Sequence, residues 1–142
     1  KGVFLLKDEE EVRKFYSLNF AKPFIIQEFI ESSKSISLRI IIIDEKVIGA
    51  IKRINDNDFR SNIGINRSEI YELDEKCLDF ARNIAKKLKI KYAGIDVLLD
   101  KNQNPLLCEI NSNAFFEEFE KTTKINVAKL MLEFIKEDIN NN

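Results

Sequence analysis

Two carboxylates and one carboxamide, Asp96, Glu109 and Asn111, stand at a spacing that can do chemistry. Residues 93–99 form an apolar, partly β-branched run, residues 106–110 form another, and Asp100-Lys101-Asn102-Gln103-Asn104-Pro105 between them favours a turn. The pattern predicts a β-hairpin. If Asp100 pairs with Pro105 across a four-residue loop, antiparallel counting sets Asp96 opposite Glu109 and Leu98 opposite Leu107. Side chains on a strand alternate faces, so Asn111 shares the side of Glu109. Opposed Cβ atoms lie about 4.5–5.5 Å apart, where like charges repel. A hard cation bound by oxygen ligands, such as magnesium, would turn that repulsion into a site. A one-residue slip would separate the two acids, and the same residues equally fit a hairpin with two solvated carboxylates.

Four cations could face this acidic set: Arg39, Lys52, Arg53 and Arg60. Metal-bridged phosphate oxygens with Arg or Lys neutralising the remaining charge is what a magnesium-bound triphosphate requires. Singly, each cation is weak evidence, and the Lys52-Arg53 pair at a strand end is ordinarily solvated. Arg60 lies beside Phe59 in a loop and can clamp carboxylate or phosphate with two parallel bonds. The aromatic run Phe115, Phe116 and Phe119 reads as core or partner surface, since no basic residues alternate with it.

The elements that must position these groups are legible in part. At 142 residues, 44% hydrophobic and 33% charged with four Gly and two Pro, the chain has the length and composition of one globular domain. Net charge is −1 with no basic block, which argues against a phosphate-led nucleic-acid partner. There is no histidine, which excludes Ser-His and Cys-His nucleophiles and argues against a zinc enzyme. Cys77 and Cys108 read as buried, reduced thiols of a cytoplasmic protein. No apolar run has membrane-spanning length, so no membrane partner is expected. Strands are expected at residues 2–6, 24–30, 36–43 and 46–54, with a tight turn at Asp44-Glu45. Arg39-Ile40-Ile41-Ile42-Ile43 predicts a strand covered on both faces. Residues 55–67 read as a loop. A helix capped by Asp8 with Glu11 at the capping-box position has Val12, Phe15 and Tyr16 as its apolar stripe and Pro23 as its limit. A second runs from Asp74 to about Lys89 on a stripe of Cys77, Leu78, Ala81, Ile84, Ala85 and Leu88. The last begins near Asn126 with Val127, Met131, Phe134 and Ile135 inward, and residues 140–142 should fray. Strand pairs interleaved with helices make an α+β fold.

In order, QEFI, SLRIIII, VIGAIKR, DFRSN, AGIDVLL and CEINSNAFFEEFEKTTKINVA resemble the ATP-grasp ligases, especially the branch of the ribosomal-protein glutamate ligase RimK and the lysine-biosynthesis ligase LysX. The resemblance spans nearly the whole chain. It implies an antiparallel sheet packed with helices, with residues 1–30 the tail of the small lid subdomain and residues 31–142 the C-terminal core. It implies an ATP-dependent carboxylate–amine ligase working through an acyl-phosphate, with amino-acid, peptide or protein substrates and homo-oligomers common in the family. Gln27, Glu28, Phe29 and Ile30 would meet the adenine, with Arg39 and Lys52 as further nucleotide contacts. Asp96, Glu109 and Asn111 would hold magnesium or manganese. Arg53, Arg60 and Asn62 would lie near the triphosphate and the activated carboxylate. The family's Gly-rich phosphate loop would belong just upstream of Lys1-Gly2-Val3, so the isolated stretch is expected to be inactive alone. Three departures stand out. Ala114-Phe115 replaces the family's Pro-Gly, Ser37 replaces an acid two residues before Arg39, and the Gly-Gly after DFRSN is missing. These feed an alternative, a non-catalytic nucleotide- or peptide-binding module on the same fold.

Overall fold

In the computed structural model, which describes residues 2–61 and 67–141, nine α-helices and strands follow an N-terminal segment. These are α1 (Glu9–Asn19), β1 (Ile36–Ile43), β2 (Lys46–Ile54), β3 (Arg67–Tyr71), α2 (Glu75–Leu88), β4 (Tyr92–Leu99), β5 (Pro105–Asn111), α3 (Glu117–Thr123) and α4 (Val127–Asn141). The five strands form one antiparallel sheet in the order β3-β2-β1-β4-β5.

β1 is the centre, as its apolar run requires. Leu38, Ile40 and Ile42 point to one face, where they meet Ala50, Ile95 and Val97 and the small residues Ala81 and Ala85 of α2. Small residues at this spacing let the helix approach closely. Ile41, Ile43 and Ile51 fill the other face with Phe119 of α3 and Val127 of α4. Each fully buried side chain of this size contributes about 1.5–3 kcal/mol. The β1–β2 turn places Asp44 (φ 48°) and Glu45 (φ 61°) in the left-handed region. That conformation matches strand twist but costs a non-glycine residue about 1–2 kcal/mol. Asp44 and Glu45 N–H groups donate to the Lys91 and Ile90 carbonyls at 2.9 and 2.8 Å, which offsets the strain and docks the turn against the entrance to β4.

Caps set the helix ends. Asp8 accepts from the Glu11 N–H at 2.9 Å, and Asp74 from the Cys77 N–H at 2.8 Å. Lys89, left-handed at φ 49°, terminates α2. Asn126 accepts from the Lys129 N–H at 2.7 Å, and Glu120 of α3 accepts from the Val127 N–H at 2.7 Å, which ties α3 to the start of α4.

Several expectations are corrected. Residues 2–6 and 24–30 form no strand, because neither finds a ladder partner among the described residues; instead Phe4, Phe15, Tyr16 and Phe24 stack on α1. No residue of α1 is buried. β3 starts at Arg67, where the loop was expected to end, and pairs with β2 through Lys52↔Glu69 and Arg53↔Ser68. Leu88 and Ile135 face solvent rather than the core. α4 stays helical through Asn141. Cys77 is buried, but Cys108 is exposed on edge strand β5.

Candidate functional site

The hairpin pairs Asp96 with Glu109 and Gly94 with Asn111. It reaches that register by a different route from the one expected. The loop closes one residue earlier, with Leu99 opposite Pro105 and Leu98 opposite Leu106 rather than Leu107. The Asp100 carboxylate gathers the Asn102 and Asn104 N–H groups at 2.8 and 2.7 Å and the Asn104 amide at 2.6 Å, while Gln103 turns left-handed at φ 61°. A bulge then falls between Asp96 and Val97, leaving Cys108 without a ladder partner. The two offsets cancel before the acids are reached.

Across β1 and β2 the same face receives two arginines. Arg39 is the ladder partner of Asp96, Ser37 of Arg53, and Arg53 of Ser68. Arg39 grips Asp96 with two parallel bonds, Nε to Oδ1 at 2.5 Å and Nη2 to Oδ2 at 2.7 Å, both side chains nearly fully buried. Arg53 approaches the same carboxylate at 3.7 Å and donates from Nε to Glu118 of α3 at 2.8 Å. The Ser68 hydroxyl donates to the other Glu118 oxygen. Buried charge pairs of this kind are seldom more stabilising than an apolar replacement, but removal of one partner costs about 3–5 kcal/mol.

Gly94 is what lets Arg39 lie flat on the sheet. A Cβ there would sit 2.7 Å from the Ala114 Cβ and 2.9 Å from both Cδ and Nη1 of Arg39. The turn after β5 folds back onto that spot and is held by the Tyr92 hydroxyl, which donates to the Ala114 carbonyl at 2.6 Å. Ala114 is therefore buried, and its neighbour Phe115 projects into solvent at 88% exposure.

The loop after β2 borders this face. Asn55 accepts from the N–H groups of Asn57 and Asp58 at 2.9 and 3.1 Å and donates to the Arg60 carbonyl at 2.8 Å. The Ser61 and Ser37 hydroxyls meet at 2.6 Å. Arg60 binds Asp58 with two bonds of 2.9 and 2.7 Å, and its guanidinium carbon lies 5.3 Å from the Phe59 ring centroid. Hydrogen bonds from the Arg60 side chain and backbone lower the Asp58 pKa to about 2. Phe29 meets Phe59 edge-on at 6.1 Å, so the segment of Gln27, Glu28, Phe29 and Ile30 runs beside this loop, largely exposed. It joins the core through Ser33, whose hydroxyl donates to the Leu99 carbonyl at 2.9 Å and accepts from its N–H at 2.7 Å.

The structure thus brings Arg39, Arg53, Asp96, Glu109 and Asn111 to one face, with Arg60 in the bordering loop. Lys52 pairs with Leu38 and faces the other side of the sheet, lining a cleft of about 130 Å³ with Ser32, Ser33, Tyr71 and Gln103. Asn62 lies outside the described residues. Sequence reasoning missed Glu118 and Ser68. Glu118 stands in an acidic-aromatic run with no clear helical stripe, and Ser68 belongs to a strand five residues long.

The oxygen donors fit a hard cation. Glu109 is exposed and its side chain makes no hydrogen bond or ion pair among the described residues, and Asn111 follows two positions on. Asp96 already binds Arg39, yet a carboxylate offers about four lone-pair sites, so both its oxygens can accept again. No cluster of three His, Cys, Asp or Glu residues exists among the described residues. Two carboxylates and an amide leave positions for water and phosphate oxygens, which is how magnesium is commonly held.

The chain matches the RimK-like ATP-grasp domain over residues 1–135 and belongs to that family. It is 34% identical over 131 residues to the uncharacterized protein MG012 homolog of Mycoplasma pneumoniae, covering 92% of this chain and 45% of that one. It is 37% identical over 114 residues to a probable alpha-L-glutamate ligase of Legionella pneumophila, covering 79% and 37%. It therefore spans less than half the length of these relatives. Among solved structures it resembles the D-alanine–D-alanine ligase of Bacillus anthracis complexed with ATP (TM-score 0.62, 20% identity, 92% and 46% coverage). It also resembles the ATP-grasp ligase PsnB with a phosphomimetic precursor variant, Mg and ADP (TM-score 0.61, 18% identity, 89% and 49% coverage). At these identities the likeness is one of fold, which is that of the ATP-grasp ligases. No helix among the described residues is long and apolar enough to cross a membrane.

Proposed function

We propose that this chain carries the nucleotide- and metal-binding core of an ATP-dependent carboxylate–amine ligase, with residues 1–30 contributing to the lid and residues 31–142 forming the core. The observation that supports this best is the convergence of Asp96, Glu109 and Asn111 beside Arg39 and Arg53 on one face of the sheet. In the reaction, a substrate carboxylate oxygen takes the γ-phosphoryl group of ATP and ADP departs. An amine then attacks the acyl carbon, inorganic phosphate leaves with the C–O electron pair, and the proton lost by the amine nitrogen passes to the departing phosphate. Magnesium or manganese, held by Asp96, Glu109 and Asn111, would screen the charge of the phosphates. Arg53, Arg60 and Asn62 would stabilise negative charge on the acyl-phosphate and on the tetrahedral species after it. Gln27, Glu28, Phe29 and Ile30 would receive the adenine. No protein nucleophile is needed, in keeping with a chain that has no histidine.

The relatives named as glutamate ligases support an amino acid as one substrate, and the PsnB complexes support a peptide as the other. A cytoplasmic setting and homo-oligomers accord with this reading. The test is thermal unfolding with and without magnesium-ATP. Ligand at about a hundred times its dissociation constant stabilises by roughly 2.7 kcal/mol. A magnesium-dependent rise in Tm that disappears in Glu109→Gln is the expected result. A rise that persists unchanged in Glu109→Gln refutes the metal assignment.

A further inference from the structure

The buried charge network ends on a residue that the ligase reading leaves without a task. Glu118 projects from α3 and spans two strands, accepting from Arg53 Nε at 2.8 Å on β2 and from the Ser68 hydroxyl on β3. Arg53 has one other acidic neighbour, Asp96, at 3.7 Å, too far for a hydrogen bond. The Arg53 side chain is only 10% exposed behind a Glu118 side chain that is 36% exposed, so removal of the Glu118 carboxylate would open the Arg53 Nε–H to solvent. The four buried or half-buried groups, Arg39, Arg53, Asp96 and Glu118, balance in charge. Deletion of Glu118 would leave Arg53 with one carboxylate within reach, the one already shared with Arg39.

We infer that Glu118 is a positioning residue. It holds the Arg53 guanidinium toward the β2–β3 edge, preventing its collapse onto Asp96, and so keeps Asp96 oxygens available for a cation. The geometry explains why a short helix should send a carboxylate into the sheet. A guanidinium closing from 3.7 Å to hydrogen-bond distance would occupy lone pairs that a metal needs, and a second buried cation at Asp96 would repel the metal directly. Ser68 supports the arrangement by anchoring the oxygen of Glu118 that Arg53 does not use. The cation half of this inference rests on the proposed metal site. The Arg53 half does not.

The experiment is side-chain nitrogen NMR of the chain, with the Arg39 Nε–H as internal reference because Asp96 alone holds it. Hydrogen exchange at Arg53 Nε–H is expected to quicken at least tenfold in Glu118→Ala while Arg39 Nε–H is unchanged. Glu118→Gln, which keeps an acceptor oxygen, should restore most of the protection, a rescue that a merely space-filling residue would not show. Ser68→Ala should lie between the two, and it decides the matter if Glu118→Ala fails to fold. Titration with Mn2+ alone, read by paramagnetic broadening at the Asp96 and Glu109 amides, should show about tenfold weaker binding in Glu118→Ala. Arg53 protection equal to wild type in both Glu118→Ala and Ser68→Ala overturns the inference. So does unchanged Mn2+ affinity once Arg53 is released. If the wild-type chain takes up no Mn2+, the metal reading falls by itself, and Arg53 exchange still decides the role of Glu118.

Discussion

Gly94→Ala tests whether the flat course of Arg39 over β4 is essential to the fold. The new Cβ would stand 2.7 Å from the Ala114 Cβ and 2.9 Å from two atoms of Arg39. β4 cannot retreat, because β1 and β5 bind it on both sides. Two escapes exist. The turn at Ala114 can lift, at the loss of the Tyr92–Ala114 hydrogen bond, about 1 kcal/mol, plus the burial of Ala114. Alternatively Arg39 can shift from Asp96, which breaks a buried bidentate pair at about 3–5 kcal/mol. The first is cheaper, and overpacking of this size costs about 1–3 kcal/mol in general. The stiffer unfolded chain returns about 0.4–1 kcal/mol. The balance is a net loss of about 1–2 kcal/mol in urea unfolding followed by circular dichroism, with an unchanged m-value. Pairing with Ala114→Gly removes the closest clash and should recover about half the loss, a coupling that a double-mutant cycle measures. A loss below about 0.3 kcal/mol in Gly94→Ala would refute the packing argument.

Two further outcomes follow from the charge and thiol environments. The Asp58 carboxyl should titrate near 2 by carbon NMR and return toward 3.8 in Arg60→Ala. Its folded pKa is depressed, so its share of stability is complete above about pH 4 and fades as pH falls through 2; a midpoint near 3.8 in the wild type would dismiss the Asp58–Arg60 pair. With a thiol-specific disulfide reagent at pH 8, Cys108, exposed but with its thiol pushed up by partial burial and by the Asp96 and Glu109 charges, should react slowly in the folded chain yet well before Cys77. Cys77, buried and raised to about 11 by burial and by Asp74, should react only on unfolding; equal rates would overturn the placement of Cys108 at an exposed bulge.

Much of this site was legible because it rests on period-two strands. Residues 36–43 and 46–54 were bounded correctly from their apolar runs and the Asp44-Glu45 turn, and the opposition of Asp96 and Glu109 was read from counting alone. That count succeeded through cancelling offsets, since neither the five-residue loop nor the bulge at Cys108 carries a glycine to announce it. β3 was missed because Arg67-Ser68-Glu69-Ile70-Tyr71 alternates weakly and gains its ladder only from β2. The segments 2–6 and 24–30 have strand-like composition but no partner among the described residues, and propensity without a ladder makes no strand. Glu118 escaped because a single carboxylate has no pattern. Its meaning comes from Arg53, 65 residues away.

The sheet order carries a last consequence. β1, β2 and β3 form one meander of neighbours in sequence, and β4 and β5 form a separate hairpin; the seam between them is the β1–β4 ladder. The meander brings both arginines to the shared face, and the hairpin brings both acids. Each half alone concentrates charge of one sign on that face; closure of the seam, a contact between residues 57 apart, pairs Arg39 with Asp96, and Glu118 of α3 completes the balance at Arg53. A partly folded chain cannot display a working fragment of the centre, because every pairing in it that joins opposite charges crosses from one piece to another. The constellation is complete only when the whole sheet is.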